Sequence, residues 1–155
     1  MTRSAGLLMF RRTGDGLQVL LAHPGGPFWA RKDDGAWTLP KGEVDDGEDA
    51  FATALREFEE ETGCAPAGPF VDLGEVRQKS GKRVQAWAFE GDFDPATLRC
   101  NLFELEWPPR SGRRQQFPEV DRAGWFAMPD ARRKLLPAQH PFLDRLAQHR
   151  PGDGR

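Results

Sequence analysis

The chain has 155 residues and a formal net charge of −2, with 38% hydrophobic and 30% charged residues. This length and composition are typical of one folded domain and exclude a disordered chain. The near-neutral charge argues against a DNA-binding protein, because contacts to many phosphates require a basic excess. We therefore expect a single domain over residues 1–150 and a frayed tail over residues 151–155.

Neither an export signal nor a membrane anchor is evident in the sequence. The longest early apolar stretch, residues 5–10, ends at Arg11 and is much shorter than a membrane-spanning helix. Two cysteines, Cys64 and Cys100, are too few for a disulfide framework or a zinc site. We expect a cytoplasmic protein that does not bind membranes.

The first half of the chain is predicted to contain three strands and one helix. In chain order, these elements are a strand over residues 4–10, a strand over 17–23, a loop over 24–35, a short strand over 36–39, a loop over 41–47 and a helix over 48–62. The helix is the clearest element, because its apolar residues recur at helical spacing and Gly63 supplies a typical stop. Pro40 is expected to end the strand before it.

The second half is predicted to add four strands and a helical end. In chain order, these elements are strands over residues 71–77, 83–90 and 103–107, a basic loop over 108–118, a short strand over 125–127 and one or two helices over 129–150. Pro137 and Pro141 should break the terminal helical segment. Strands on both sides of a central helix, with helices at the end, indicate an α/β fold whose mixed sheet is covered on both faces.

Charge is distributed unevenly along the chain. Residues 33–61 contain eleven acidic and two basic residues, whereas the rest of the chain carries a net charge of +7. An acidic segment in an otherwise basic chain is typical of a cation site that faces a polyanionic ligand, and equally of a solvated acidic face. The charge counts alone leave both interpretations open.

The predicted helix over residues 48–62 places three glutamates on one side. At about 100° per residue, Glu57, Glu60 and Glu61 lie beside the apolar stripe, and Glu59 lies on the other side. Like charges one turn apart repel by about 0.2–0.5 kcal/mol per pair even when exposed. A bound cation relieves that repulsion, and clustered carboxylates suit Mg²⁺ or Mn²⁺ better than zinc. A solvated helix face is the alternative.

These glutamates belong to a spaced motif that begins at Gly42. Its other fixed positions are Glu48, Arg56, Glu57, Glu60, Glu61 and Gly63, with apolar slots at Phe58 and Cys64. The pattern resembles the Nudix box at every fixed position, and the preceding segment, residues 37–41, is similar to the strand that leads into that box. Cys64 fills a slot that is more usually Ile, Leu or Val, as a small hydrophobe. The resemblance implies a Nudix α/β/α sandwich with a mixed sheet.

The resemblance also implies an activity and a cofactor. Nudix enzymes hydrolyse a nucleoside diphosphate linked to another group, with Mg²⁺ or Mn²⁺ to screen the phosphate charge and to acidify water. It implies that Glu60 and Glu61 are metal ligands and that Glu57 is either a ligand or the base that activates water. A backbone carbonyl near residues 41–42 commonly completes such a site.

The remaining box positions are expected to have structural roles. By the same resemblance, Glu48 and Arg56 form a pair that holds the loop on the helix. Gly42 and Gly63 should supply backbone geometry that a side chain would obstruct.

Many Nudix enzymes recruit a further acidic residue from a later loop. Glu119 is the residue we predict for this role, because it follows the basic loop over residues 108–118 and precedes Trp125 by six residues. The alternatives are Glu90, Glu104 and Glu106.

Basic and aromatic side chains are the candidates for binding the substrate. The basic candidates form two groups, Lys79, Lys82 and Arg83, and Arg110, Arg113 and Arg114. Arg suits bidentate phosphate contacts, although each of these residues can also be simply solvated. Among Phe28, Trp29 and Trp87, we prefer Trp29 as the residue that stacks a base, because it lies in a Gly/Pro-rich loop, whereas Trp87 suits a core position.

The substrate class follows from the same resemblance and from charge. The segment over residues 37–57 is most similar to dinucleoside polyphosphate hydrolases, and a ligand with four or more phosphates suits the basic remainder of the chain. Those enzymes often stack a base on a tyrosine after the box, and this chain has no tyrosine. We predict a dinucleoside polyphosphate substrate. The alternatives are a nucleoside triphosphate pyrophosphohydrolase, an RNA-end hydrolase and a non-catalytic nucleotide-binding module.

Overall fold

The computed structural model describes residues 2–149. Eight strands and three α-helices follow one another along this part of the chain. The strands are β1 (Arg3–Thr13), β2 (Gly16–Pro24), β3 (Lys41–Glu43), β4 (Phe70–Arg77), β5 (Arg83–Glu90), β6 (Leu102–Glu106), β7 (Arg114–Pro118) and β8 (Val120–Ala127). The helices are α1 (Ala50–Thr62), α2 (Met128–Lys134) and α3 (His140–Gln148). The predicted tail over residues 151–155 and residue 150 lie outside the described residues.

A mixed sheet of six strands forms the centre of the fold. Its order is β4-β5-β1-β2-β8, and β3 pairs with β1 beside β2. The pairing of β1 with β5 is parallel, whereas β1 pairs antiparallel with β2 and β3. Strand β1 is almost wholly buried from Ser4 to Phe10 because neighbouring strands flank it and helices cover both of its faces. β6 and β7 form a separate two-stranded sheet.

Helices cover both faces of the main sheet. On one face, Ala54 and Phe58 of α1 pack among Leu7 and Met9 of β1. On the other face, Phe142, Leu143 and Leu146 of α3 are buried against the sheet, as the apolar stripe of the sequence predicts. The α/β/α sandwich with a mixed sheet is therefore confirmed. No helix within residues 2–149 has both the length and the apolar character needed to cross a membrane.

Two loops of the predicted fold contain strands. Residues 41–43, predicted as a loop, form β3 because residues 4–6 of β1 offer a free edge for pairing. The segment predicted as a strand over residues 36–39 contributes only the isolated bridges Ala22↔Thr38 and Trp37↔Leu135. The predicted loop over residues 108–118 ends in β7, which pairs with β6. The residues of β7 are mostly polar and exposed, so they lack the alternating hydrophobic pattern that predicts a strand.

The helix boundaries follow capping chemistry. α1 begins at Ala50, two residues later than predicted, because the Asp49 carboxylate caps it by accepting a hydrogen bond from the Ala52 N–H at 3.0 Å. Gly63 ends α1 in the left-handed conformation with a φ of 81°, as predicted. The predicted terminal break lies between α2 and α3, where Pro137 begins a short 3₁₀ turn, and Pro141 is accommodated in the first turn of α3.

Candidate active site

Helix α1 presents its glutamates on a gradient from core to solvent. The Glu61 residue is 8% exposed, whereas the side chains of Glu57 and Glu60 are 18% and 36% exposed. Glu59 is exposed on the outer side of the helix. The sequence predicted that Glu59 lies away from the other three glutamates, and these exposures agree. The packing of Phe58 against Phe89 of β5 sets the rotation of α1 and therefore decides which side of the helix faces solvent.

Burial and neighbouring charge disfavour the ionised forms of two of these glutamates. Burial, followed by the negative charge of Glu57, raises the pKa of Glu61 to about 8, and the Lys41 ammonium offsets only part of that rise. Burial and then the Glu60 carboxylate raise the pKa of Glu57. Carboxylates that share a half-buried site repel in this way unless a cation joins them.

The Glu57 carboxylate lies directly on the backbone of Gly42. A Cβ at Gly42 would lie 2.0 Å from Cδ and 2.4 Å from Oε1 of Glu57. Strand β3 brings Gly42 to this position by pairing it with Ala5 of β1. A side chain at residue 42 would therefore displace the carboxylate, which gives a physical reason for the glycine.

Arg56 bridges the loop before α1 and two of the site glutamates. Its guanidinium lies 3.2 Å from Oε2 of Glu48, 3.3 Å from Oε1 of Glu57 and 3.3 Å from Oε2 of Glu60. Glu48 also accepts a hydrogen bond from the Asp45 N–H at 3.1 Å. The predicted contact between Glu48 and Arg56 is present, and it ties residues 45–48 to the helix.

Glu119 joins the group from the segment between β7 and β8. Its backbone is fixed on two sides: its N–H donates to the Asn101 carbonyl at 2.9 Å, and its carbonyl accepts from the Gly25 N–H at 3.0 Å. Partial burial and then the Glu60 charge raise the pKa of Glu119, and the Glu119 charge in turn raises the pKa values of Glu57 and Glu61. Glu119 is therefore coupled electrostatically to the box glutamates.

The three alternatives to Glu119 are engaged elsewhere. Glu104 pairs with Arg114, Glu106 accepts from the Gly112 N–H at 2.8 Å, and Glu90 lies 4.0 Å from the Arg12 guanidinium. Of these four candidates, Glu119 is the one whose charge raises the pKa values of Glu57 and Glu61.

The donor chemistry of the cluster fits a hard divalent cation, although its present arrangement is not a finished metal site. Within residues 2–149, no group of three or more His, Cys, Asp or Glu side chains is arranged to hold a metal ion. Arg56 supplies positive charge between Glu57 and Glu60 instead. The donor set of carboxylate oxygens, with a buried glutamate whose negative charge lacks full compensation, is nevertheless the kind that Mg²⁺ and Mn²⁺ favour.

Lys41 is a member of the site that the sequence reading missed. Its side chain is half-buried. Burial followed by the nearby charge of Lys82 lowers its pKa, whereas Glu61 and Glu57 raise it. Lys41 therefore interacts both with the carboxylates and with a second ammonium group. Its position directly before the box glycine is the only sequence signal that could have identified it.

The other predicted phosphate ligands are dispersed. Lys79 is exposed at the turn between β4 and β5, and Arg83 lies 3.8 Å from Glu75. Arg110 and Arg113 lie in the turn between β6 and β7 and have no carboxylate partner in the described part of the chain. Of the six predicted cations, Lys82 is the one that the structure places beside the site residue Lys41.

The predicted aromatic candidates have different environments. Trp87 packs against Phe51 at a centroid distance of 5.0 Å, as a core residue does. Trp29 is half-buried, and the Lys32 ammonium lies 5.1 Å from the centre of its ring. Phe28 is 59% exposed and contacts Trp107 edge-to-face.

A cavity of about 700 Å³ lies on the outer side of α1. It shares Arg56 and Glu60 with the site, and Glu59 also faces it. Its other lining residues are Ala52, Leu55, Gly63, Ala65, Pro66, Arg99, Cys100 and Asn101. The two carboxylates on its wall are balanced by Arg56 and Arg99, so the cavity offers a polyphosphate no net positive charge.

Three comparisons identify proteins similar to this chain. It is 43% identical over 65 residues to the asymmetrical bis(5′-nucleosyl)-tetraphosphatase of Rattus norvegicus, which covers 37% of this chain and 44% of that protein. It is 29% identical over 116 residues to the RNA pyrophosphohydrolase of Rhizobium meliloti, which covers 65% of this chain and 64% of that protein. The chain thus spans less than two thirds of the length of these curated relatives.

The fold has close counterparts among solved structures. A C. elegans Ap4A hydrolase binary complex superimposes with a TM-score of 0.64 at 21% identity, over 95% of this chain and 96% of that chain. The sequence profile of the NUDIX domain matches residues 1–146. The spacing of the box, the sandwich and this match agree, and the chain belongs to the NUDIX domain family.

Proposed function

We propose that this chain hydrolyses a pyrophosphate bond within a dinucleoside polyphosphate. The observation that carries the proposal is the position of the Glu57 carboxylate on the backbone of Gly42, on the side of α1 where Arg56 bridges it to Glu60. The charge of Glu119 adds to this group, since it raises the pKa values of Glu57 and Glu61. A group of carboxylates that includes the buried Glu61 is destabilising without a cation, and a polyphosphate chelated to that cation is the ligand that such a site suits.

Each site residue has a task in this proposal. Glu60 and Glu61, with the Gly42 carbonyl, would hold Mg²⁺ or Mn²⁺, which supplies charge screening for the phosphates and acidifies water when bound. Glu57, positioned on Gly42, orients the attacking water or joins the ligand set. Glu119 accepts the proton of that water at a carboxylate oxygen, because its raised pKa makes it a stronger base than an ordinary glutamate.

Arg56 and Lys41 complete the electrostatics. A cation that binds Glu57 and Glu60 competes with Arg56 for these carboxylates, and Arg56 then retains its contact with Glu48. Lys41 and Lys82 together offer two ammonium groups to a phosphate beside the cluster, which relieves the repulsion between them.

The preference for a dinucleoside polyphosphate has two supports. The segment similar to the rat tetraphosphatase reaches 43% identity over 65 residues. Lys41 and Lys82 place two ammonium groups near the box carboxylates, and a ligand with four phosphates gains more from these cations than ADP-ribose does.

The test is a comparison of kcat/KM for diadenosine tetraphosphate, ADP-ribose and ATP with Mg²⁺ or Mn²⁺, at one ionic strength because phosphate contacts are salt-sensitive. We expect the tetraphosphate to be the best substrate and an excess of chelator to abolish turnover. Equal or higher efficiency on ADP-ribose would refute the polyphosphate assignment. Absence of turnover on any nucleotide with either metal would instead favour a non-catalytic binding module.

RNA with a 5′-triphosphate is a second candidate substrate. The similarity to the Rhizobium meliloti RNA pyrophosphohydrolase extends over 116 residues, more of this chain than the rat relative covers. A 5′-triphosphorylated oligonucleotide therefore belongs in the same assay. Faster cleavage of this oligonucleotide than of diadenosine tetraphosphate would make RNA the preferred substrate.

A further inference from the structure

The two-stranded sheet of β6 and β7, which we call the arm, leaves the main sheet next to the proposed active site. Leu102 pairs with Pro118 at its base and Glu106 with Arg114 at its far end. The base is joined to the site by Glu119, whose backbone bonds to Asn101 on one side and to Gly25 on the other. The arm therefore extends directly from a proposed catalytic residue.

The loop that follows β2 packs along the arm. Phe103 near the base lies against Gly26, where a Cβ would be 2.9 Å from its ring. Two residues farther along the loop, the Phe28 ring meets the Trp107 ring at a centroid distance of 5.3 Å and an interplanar angle of 80°. The contact at Gly26 thus aligns the loop so that the two aromatic rings meet.

Phe28 and Trp107 form an aromatic corner that is open to solvent. Phe28 is 59% exposed, and Trp107 is half-buried. Two rings at nearly a right angle suit a flat heteroaromatic ligand, which can stack on one ring while its edge meets the other. Trp29, in contrast, has the Lys32 ammonium over its ring.

The backbone around the corner is held in place before any ligand binds. The Trp107 N–H donates to the Arg113 carbonyl at 2.9 Å, and the Trp107 carbonyl accepts from the Gln115 side-chain amide at 2.8 Å. Arg110 and Arg113, in the turn that follows, have no carboxylate partner within residues 2–149. An ordered aromatic corner beside two unpaired guanidinium groups matches the chemistry of a nucleotide.

The length of the arm determines which nucleobase of the substrate could reach the corner. Trp107 is five residues beyond Leu102, so the backbone of Trp107, on the outer side of the corner, lies about 17 Å along β6 from the end of the arm that is joined to Glu119. A nucleobase attached next to the cleaved phosphate stays close to the carboxylates. A nucleobase at the far end of a polyphosphate chain can extend along the arm.

We propose that Phe28 and Trp107 stack the distal base of a dinucleoside polyphosphate whose cleaved phosphates lie at the box carboxylates. This inference rests on the proposed function and assigns the second nucleoside of the same substrate. Loss of a stacking partner weakens base binding by about 1–3 kcal/mol, which corresponds to about a 5- to 150-fold loss of affinity.

The test compares two substrates that differ only in the distal nucleoside, diadenosine tetraphosphate and adenosine 5′-tetraphosphate. We expect Phe28→Ala and Trp107→Ala each to reduce kcat/KM for the dinucleotide at least fivefold and to leave that for adenosine tetraphosphate within twofold. Trp107→Phe should restore most of the loss. Leu102→Ala is the matched control, because it removes an exposed apolar side chain, 56% exposed, from the base of the same arm.

Equal losses on both substrates would overturn the inference, since they would indicate a general structural role. Unchanged kinetics in both alanine variants would overturn it as well. Losses confined to a 5′-triphosphorylated oligonucleotide would assign the corner to RNA and reject the dinucleotide.

A wild-type protein that cleaves no dinucleotide would disprove the proposed function separately. The corner would then be tested by calorimetric binding of a methylene-bridged diadenosine tetraphosphate, whose failure to bind would also reject this inference.

Discussion

Replacement of Gly42 by alanine should separate the catalytic role of this position from its role in folding. The new Cβ would lie 2.0 Å from Cδ, 2.3 Å from Cγ and 2.4 Å from Oε1 of Glu57. Ordinary van der Waals contact begins near 3.4 Å, so the carboxyl carbon must move by at least about 1.4 Å. Gly42 is not among the glycines with a positive φ, so alanine is compatible with its backbone.

The displacement is large compared with the tolerance of a catalytic group. Metal–oxygen bonds of about 2.0–2.2 Å do not survive a shift of this size, and a misplacement of about 1 Å costs roughly 100-fold in rate. Stability should change little, because the clashing atoms are the end of a flexible side chain. Replacing glycine at a compatible position changes stability by about 0.4–1 kcal/mol. We therefore expect kcat to fall about 100-fold with nearly unchanged unfolding.

Steady-state kinetics on diadenosine tetraphosphate and urea unfolding measure the two effects. Gly6→Ala is the control in which the new Cβ meets backbone and not a flexible side chain. This Cβ would lie 2.4 Å from the Pro40 backbone oxygen, so the substitution should lower the free energy of unfolding. Gly14→Ala has no atom within 4 Å and should change neither property. Wild-type kcat in folded Gly42→Ala would show that its contact with Glu57 does not position the carboxylate. Destabilisation like that of Gly6→Ala would show that the backbone yields instead of the side chain.

Three further predictions concern the glutamates and the cation. Glu60→Gln and Glu61→Gln should each lower kcat by orders of magnitude, whereas Glu59→Gln should be nearly neutral; comparable damage from Glu59→Gln would disprove the assignment of helix faces. Activity should disappear in excess chelator and return with Mg²⁺ or Mn²⁺, and full activity in chelator would disprove the metal requirement. In metal-free protein, the pKa of Glu61 is raised from 4.5 to about 8. Protonated Glu61 therefore costs no stability below about pH 4.5, and the free energy of unfolding falls as the pH rises from about 4.5 to about 8. Glu61→Gln should therefore gain stability relative to wild type between about pH 5 and pH 8, by up to about 5 kcal/mol. Urea unfolding in chelator at the two pH values measures that gain, and a constant difference would contradict the burial of Glu61.

Local patterns were sufficient to predict much of the fold. The apolar stripe of α1, its end at Gly63 and the buried face of α3 all follow from side-chain periodicity and capping, which act within a few residues of chain. The position of Glu59 away from Glu60 follows from the same periodicity. These features needed no knowledge of what the helices pack against.

Long-range pairing decided the features that the sequence left undetermined. β3 exists because residues 41–43 meet the edge of β1, more than thirty residues earlier in the chain. β7 is recognisable only from its partner β6, because its own residues are mostly polar and exposed. In both cases the stabilising hydrogen bonds join segments that no local pattern connects.

The sequence by itself determined the family, the helix that carries the carboxylates and the placement of Glu57, Glu60 and Glu61 on one side of it, because box spacing and helical geometry are properties of one continuous segment. Tertiary structure decided that Glu61 is buried, that the charge of Glu119, 58 residues beyond it, raises its pKa, and that the Lys41 ammonium offsets part of that rise. Burial and Coulomb interaction depend on which surfaces the fold brings together, and an amino-acid spacing does not specify these surfaces.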